Sequence, residues 1–358
     1  MTVSSSPSIP IPVVILGATG SVGQRFVQLL ADHPWFEITG LTGSDRKVGQ
    51  PYGKACKWIL PEPMPARVQD IIVQPTDPAL FPQARIAFSA LPAELALHKE
   101  PAFAQARFAV CSNASAFRRG EDVPILLPEV NPEHLGLIPR QRQERRWTGC
   151  IVTNPNCTST GLTVALKALQ EAFGLRRVFA VSMQALSGAG FPGVASLDIL
   201  DNVIPWIGGE EEKVEWEPRK MLGTFQHDQV TLADCVISAH TNRVAVSDGH
   251  LVTASLELER RATPEEAIQA LRAYQAPAAS AGLPSSPQPV VVVRDETDRP
   301  QPRLDRMTGN GMSTVVGRLR PDPIFDLKFV VLSHNTIRGA AGGSIYNAEL
   351  LVREGFVA

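Results

Sequence analysis

The chain has 358 residues, of which 44% are hydrophobic and 20% charged, with a net charge of -2. A length beyond the roughly 250–300 residues at which single cores stop growing argues for two domains, and the near-neutral balance removes any electrostatic reason to expect nucleic acid or an anionic membrane as partner. No run approaches the roughly 18 apolar residues of a spanning helix, and the start MTVSSSPSIPIP, read as frayed, lacks a basic and apolar leader, so a cytoplasmic protein is expected.

The apolar run Val13–Leu16 stops at glycine and reads as a buried strand. Gly17, Gly20 and Gly23 then form a turn leading into a helix from Gln24 to His33, and Phe36–Thr42 closes a βαβ unit. Glycines at such a turn let the backbone approach a pyrophosphate at a helix N-terminus, although the spacing departs from G-x-G-x-x-G. At the end of the second strand, Ser44 and Arg46 suit a ribose 2′-phosphate, whereas Asp45 suits the free hydroxyl of NAD; the balance favours NADP. Strands at residues 86–89 and 108–111 continue the alternation of a parallel sheet covered on both faces.

Arg140–Arg146 reads as a solvated loop rather than a polyanion patch, because an acid interrupts the basic run. Beyond residues 150–160 the segments lengthen and alternate apolar with polar (178–183, 242–246, 250–258, 325–332), as in a mixed or antiparallel sheet with one face packed on helices. Thr263 and Glu266 form a capping box that starts a helix through Arg272. Ala276–Pro289 reads as a surface loop and residues 343–352 as a last amphipathic helix.

The five cysteines are odd in number and widely spaced, which argues against a disulfide framework and against a metal site. Among them only Cys157 follows an Asn-Pro turn and opens a helical apolar pattern. There the helix dipole should lower the thiol pKa, and backbone N–H groups of the turn should hold a developing oxyanion. Cys56, Cys111, Cys150 and Cys235 suit buried structural roles.

The glycine turn, Asn154–Cys157, Ser187–Gly190, the acidic run ending in Lys213, and Arg243 followed seven residues later by His250 together resemble the aspartate-semialdehyde dehydrogenases, in the same order over nearly the whole chain. The segments 112–118 and 335–343 resemble the archaeal and fungal branch. The resemblance implies an α/β protein: a Rossmann-type parallel sheet over residues 1–156 and an α+β catalytic and dimerisation domain of glyceraldehyde-phosphate-dehydrogenase-like fold over 157–333, with the C-terminal helix region 334–358 packing back on the first. It implies a homodimer or homotetramer and NADPH-dependent conversion of L-aspartyl 4-phosphate to the semialdehyde, on the route to lysine, threonine and methionine.

It also implies roles. Cys157 attacks the acyl phosphate to give a thioester, His250 is the acid/base, taking the thiol proton, and Gln184 orients the substrate. Arg243 grips the α-carboxylate, Glu210 the ammonium and Lys213 the phosphate, with Asn113 near substrate or phosphate. A further arginine for the phosphate is either Arg118 or Arg119. The cofactor falls to Gly17, Thr19, Gly20, Ser21, Val22, Ser44, Arg46, Ser89, Ser187, Gly188 and Asn335. Rival readings are N-acetylglutamyl-phosphate reductase, whose motif usually has glycine where Asn156 stands, malonyl-CoA reductase, which has no substrate ammonium to engage Glu210, and a non-catalytic NADP-binding regulatory module, which would lack the thiol, the base or the arginine.

Overall fold

The computed structural model describes residue 7 and residues 9–357; the start read as frayed lies mostly outside them. Five parallel strands, β1 (Ile11–Leu16), β2 (Phe36–Leu41), β3 (Ile86–Ser89), β4 (Ala109–Ser112) and β5 (Cys150–Thr153), form a sheet in the order β2-β1-β3-β4-β5. Val13 to Leu16 are inaccessible because the two faces of the sheet are both covered. Val13 and Ile15 pack with Phe26 of the helix Ser21–Leu30 and with Ile345 and Tyr346 of the helix Gly342–Arg353; Val14 and Leu16 pack with Phe103 of the helix Ala93–Gln105.

The first helix begins at Ser21, three residues earlier than the apolar spacing suggested, so Ser21, Val22 and Gly23 are its first turn. A side chain at Gly23 would place its Cβ 2.3 Å from the carbonyl oxygen of Gly17. Glycine there lets the helix start directly against the strand's exit.

The remaining strands are β6 (Arg177–Gln184), the hairpin β7 (Thr224–Gln226) and β8 (Gln229–Thr231), β9 (Val236–Arg243), β10 (His250–Glu257), β11 (Val291–Arg294), β12 (Thr314–Pro321) and β13 (Leu327–Ser333). Six of them make a mixed sheet ordered β11-β12-β13-β10-β6-β9. Its inner face, with Val178, Ala180, Ile237, Ala239, Val252 and Ala254, buries Leu162, Leu166 and Leu169 of the helix Cys157–Phe173 and Leu271 of the helix Pro264–Ala273. The latter helix has its capping box at Thr263 and Glu266. On the outer face Phe179, Val236 and His240 remain open.

Four expectations need correction. The strand placed at 242–246 is Val236–Arg243: its alternation was hidden because the outward positions Ser238, His240 and Asn242 sit among inward residues as polar as Thr241 and Arg243. Arg140–Arg146 is not a loop but falls mostly in the helix Leu137–Arg145, where Gln141 is buried on Ile151, Arg142 donates to the carbonyls of Gly149 and Phe356, and Arg145 pairs with Asp122. The helix Gly342–Arg353 is not amphipathic, since every residue from Gly342 to Leu351 is buried. It lies between the parallel sheet and the 276–289 segment, and the latter is correspondingly more than surface: Ser280 and Leu283 are buried, Tyr346 donates to the Ser280 carbonyl, and Ser285 donates to Glu349.

Two buried histidines make the fold acid-sensitive. Burial lowers His134, which accepts from Asn131 and lies against the Gly223 carbonyl, from 6.5 to about 4, and lowers His334 to about 4. Between those values the unfolded chain binds more protons than the native one, so stability is complete above the ordinary value and falls as pH falls toward the native one. Calorimetry should show Tm dropping through that window, and the drop should be shallower in His134→Gln. A Tm independent of pH there would contradict the burial argument.

Candidate active site

Cys157 is the first residue of its helix, and Asn156 caps it, its side-chain oxygen accepting from the N–H groups of Thr158 (2.9 Å) and Ser159 (3.3 Å). The Asn156 N–H is also engaged, donating to Glu217. Of the backbone donors expected to serve an oxyanion, Cys157 N–H is therefore the one that these contacts leave free.

His250 opens β10, which runs antiparallel to β6 and so brings the imidazole to the cysteine: Nε2 is 3.2 Å from Sγ. Nδ1 accepts from the Ala185 N–H at 3.1 Å, which assigns the proton of the neutral ring to Nε2, facing the sulfur. Burial, then the nearby Arg243 and His334 charges, lower His250 to about 3. The thiol moves opposite to expectation. Burial and the Glu210 carboxylate push Cys157 up to about 12, against the pull of Arg118 and Arg243. A helix end contributes about 0.3–1 kcal/mol in most settings, too little to offset partial desolvation and the Glu210 carboxylate beside the sulfur. The resting pair at neutral pH is a thiol beside a neutral imidazole, and Nε2 can take the thiol proton only in the tautomer that gives up Ala185.

Glu210 and Lys213 lie in the first turn of the helix Glu210–Met221 and form an ion pair at 2.7 Å. The other Glu210 oxygen accepts from Asn156 Nδ2 (2.8 Å) and Gln184 Nε2 (3.4 Å). Gln184 and Arg243 end the paired strands β6 and β9 in register, and Arg243 Nη1 donates to the Ala185 carbonyl at 2.7 Å. Asn113, following β4, is held by the Ser89 carbonyl through its N–H and Nδ2. Arg118 lines the same cleft, donating through Nη1 to Glu217 (2.8 Å) and Nη2 to the Asn113 carbonyl (2.9 Å), with Nε buried and unpartnered. Arg119 instead stacks over Trp216 and faces a separate depression. That resolves which of the two arginines reaches the cleft.

The cleft, about 560 Å³, is lined by Cys157, Gln184, Arg243, Glu210, Lys213, Asn113 and Arg118, and equally by Ser21, Val22, Ser187, Gly188 and Asn335. No side chain caps the Ser21–Leu30 helix, so the N–H groups of its first turn are open to an anion. Asn335 joins two loops, accepting from Gly249 N–H and donating to Ser187 Oγ, each at 2.8 Å. Gly17, at φ +75°, and Gly20 shape the turn, and Thr19 sits beside Gly43. Ser44 and Arg46 are exposed just after β2, as is Asp45. Ser89 is not brought to the cleft; it is inaccessible, and its carbonyl serves Asn113.

Glu217 was missed in the sequence. It lies seven residues after Glu210, with Val214 between them, on the buried stripe of one helix, and that spacing was a readable signal.

Residues 12–138 match the family model described as semialdehyde dehydrogenase, NAD binding domain, and residues 166–338 the one described as semialdehyde dehydrogenase, dimerisation domain. The aspartate-semialdehyde dehydrogenase of Archaeoglobus fulgidus is 54% identical over 342 residues, 96% of this chain and 98% of its own. That of Schizosaccharomyces pombe is 48% identical, over 96% and 99% respectively. A crystal structure of aspartate semialdehyde dehydrogenase with NADP from Candida albicans superposes with a TM-score of 0.89 at 42% identity, covering 97% of this chain and all of the other.

Gly188 offers a direct check on the geometry. A Cβ there would lie 2.8 Å from Arg243 Nη1 and 3.0 Å from the His250 ring. Gly188→Ala should leave Tm nearly unchanged and lower kcat/KM about 100-fold by displacing both side chains; undiminished kcat/KM would show that the two need not stand where they do.

Proposed function

This chain belongs to the aspartate-semialdehyde dehydrogenase family, and on that premise we propose that it carries out the NADPH-dependent reductive dephosphorylation of L-aspartyl 4-phosphate to L-aspartate 4-semialdehyde. The observation that carries the reading is a thiol that shares its cleft with an uncapped helix N-terminus and has an imidazole buried 3.2 Å behind it.

The residues present fit NADP. The open N–H groups at Ser21 and Val22 suit the pyrophosphate, with Gly17, Thr19 and Gly20 shaping the turn, and Ser44 and Arg46 lie at the strand end where a 2′-phosphate is read. Ser187, Gly188 and Asn335 line the route from there to Cys157. Bound NADPH supplies the hydride that takes the acyl group to the aldehyde level.

The chain's own residues do the rest. Cys157 attacks the β-carbonyl, the C–S bond forming as the C–O bond to phosphate breaks. As the sulfur attacks, its proton passes to His250 Nε2, which is bare in the tautomer that gives up the Ala185 N–H, and His250 returns that proton as the thiohemiacetal forms and collapses. Arg243, its fork fixed by Ala185, takes the α-carboxylate. Glu210 takes the α-ammonium, Lys213 and Arg118 the phosphate, and Gln184 and Asn113 orient the substrate against the thiol. A carboxylate in this position suits a free amino group, which neither an N-acetylated substrate nor malonyl-CoA has.

The protein assembles as a homo-oligomer through its dimerisation domain, and we take the assembly to be a homodimer or homotetramer that uses the open outer face of the mixed sheet. We divide the chain into a nucleotide-binding part over 1–156, a catalytic part over 157–333 and a returning segment over 334–358, a division supported by the packing of Ile345 and Tyr346 with Val13 and Ile15. No helix among the described residues is long and apolar enough to cross a membrane, and we place the enzyme in the cytoplasm.

Purified protein with NADP, phosphate and aspartate semialdehyde should form NADPH, and should do so only with phosphate present. N-acetylglutamate semialdehyde, or malonate semialdehyde with CoA, should give no signal; activity on either in place of aspartate semialdehyde would overturn the substrate. Cys157→Ala should abolish turnover while NADP still binds. Arg243→Lys should raise KM for aspartate semialdehyde about tenfold, because a point charge does not replace a planar fork; an unaltered KM would remove Arg243 from the carboxylate.

A further inference from the structure

Glu217 carries no role in the reaction as described so far, yet its carboxylate is 2% exposed and its two oxygens hold two different parts of the site. Oε1 accepts from Arg118 Nη1 at 2.8 Å, and Oε2 accepts from the backbone N–H of Asn156 at 2.5 Å, one residue before the nucleophile. We propose that Glu217 is a positioning residue that aims Arg118 at the phosphate and fixes that arginine relative to Cys157. The inference rests on the reading that Arg118 receives the phosphate.

Arg118 is 7% exposed and has its two Nη atoms engaged, by Glu217 and by the Asn113 carbonyl, which fixes the plane of its guanidinium. A guanidinium so far from water needs a fixed counter-charge to offset its desolvation and to orient it, and a buried carboxylate with good geometry provides one. Arg118 lines the cleft, so its fixed positive charge is what an anion entering there would meet. By holding Asn156 N–H as well, Glu217 sets the distance between this arginine and the nucleophile turn through one rigid group, so the phosphate and the attacked carbonyl are located by a common reference. The same contact keeps Asn156 N–H out of the oxyanion position and leaves Cys157 N–H to fill it.

A purely structural ion pair, joining the helix Glu210–Met221 to the 113–118 segment, would change stability without distinguishing one substrate from another. The two roles separate in the phosphorylating direction, with aspartate semialdehyde, NADP and phosphate. Glu217→Gln should raise KM for phosphate about tenfold, the scale of a lost charge-assisted hydrogen bond, while KM for aspartate semialdehyde stays within about twofold. Glu217→Asp, which keeps the charge but shortens the reach, should also raise phosphate KM, and replaces the first variant should that fail to fold. Arg118→Gln should raise phosphate KM as well, and the double variant Arg118→Gln, Glu217→Gln should be no worse than Arg118→Gln alone.

An unaltered phosphate KM in both Glu217 variants, or equal shifts in both substrates tracking a lower Tm, would overturn the positioning role. Failure of Arg118→Gln to affect phosphate would instead overturn the reading on which it rests.

Discussion

The site is organised around the hydrogen bonds of one residue, Asn156. Its side-chain oxygen caps the helix that begins with Cys157, its side-chain nitrogen donates to Glu210, its backbone N–H donates to Glu217, and its carbonyl accepts from Thr160. A cap of this kind is worth about 1 kcal/mol to the helix alone. Here it does more than stabilise an end, because the same residue locks the helix Cys157–Phe173 to the helix Glu210–Met221 and leaves neither free to slide. The Glu210 carboxylate, the Cys157 thiol and the buried Arg118 then hold one geometry before any ligand enters, which is what preorganised electrostatics require.

What could be read from the sequence follows from which features are local. The glycine turn, the Asn-Pro turn before Cys157 and the Thr263–Glu266 box are written in a few adjacent residues, and each describes contacts made within those residues. The strand Val236–Arg243 was displaced because its inward face ends in Thr241 and Arg243, whose burial is set by Glu211 and Ala185, the partners they meet, and not by polarity. The helix Leu137–Arg145 was concealed for a related reason: its arginines and Gln141 answer acceptors outside the helix, at Asp122, Gly149, Ile151 and Phe356.

The charge state of the site was least legible of all. A helix N-terminus can be located from sequence, but whether its thiol keeps water around it cannot, and burial outweighs the dipole at Cys157. The choice between Arg118 and Arg119 was likewise undecidable from adjacent identical residues, since it depends on Glu217 and Trp216, both supplied by a helix about a hundred positions downstream. Ser89, expected at the cofactor, shows the same limit: a hydroxyl at a strand's end is a natural candidate, yet its burial is settled by the interior it meets.

The burial of the helix Gly342–Arg353 against Val13, Ile15 and Phe26 has a consequence for how the molecule is made. Synthesis proceeds from the other end, so the parallel sheet emerges from the ribosome with part of one apolar face, the part not covered by the helix Ser21–Leu30, open until residues 342–353 have followed. Domains that fold as they emerge close their cores early; this one must wait for its own tail. The intervening residues therefore have to be held or folded around an unfinished neighbour, and a nascent chain stalled before residue 342 would present chaperones with a hydrophobic surface that the finished enzyme never shows.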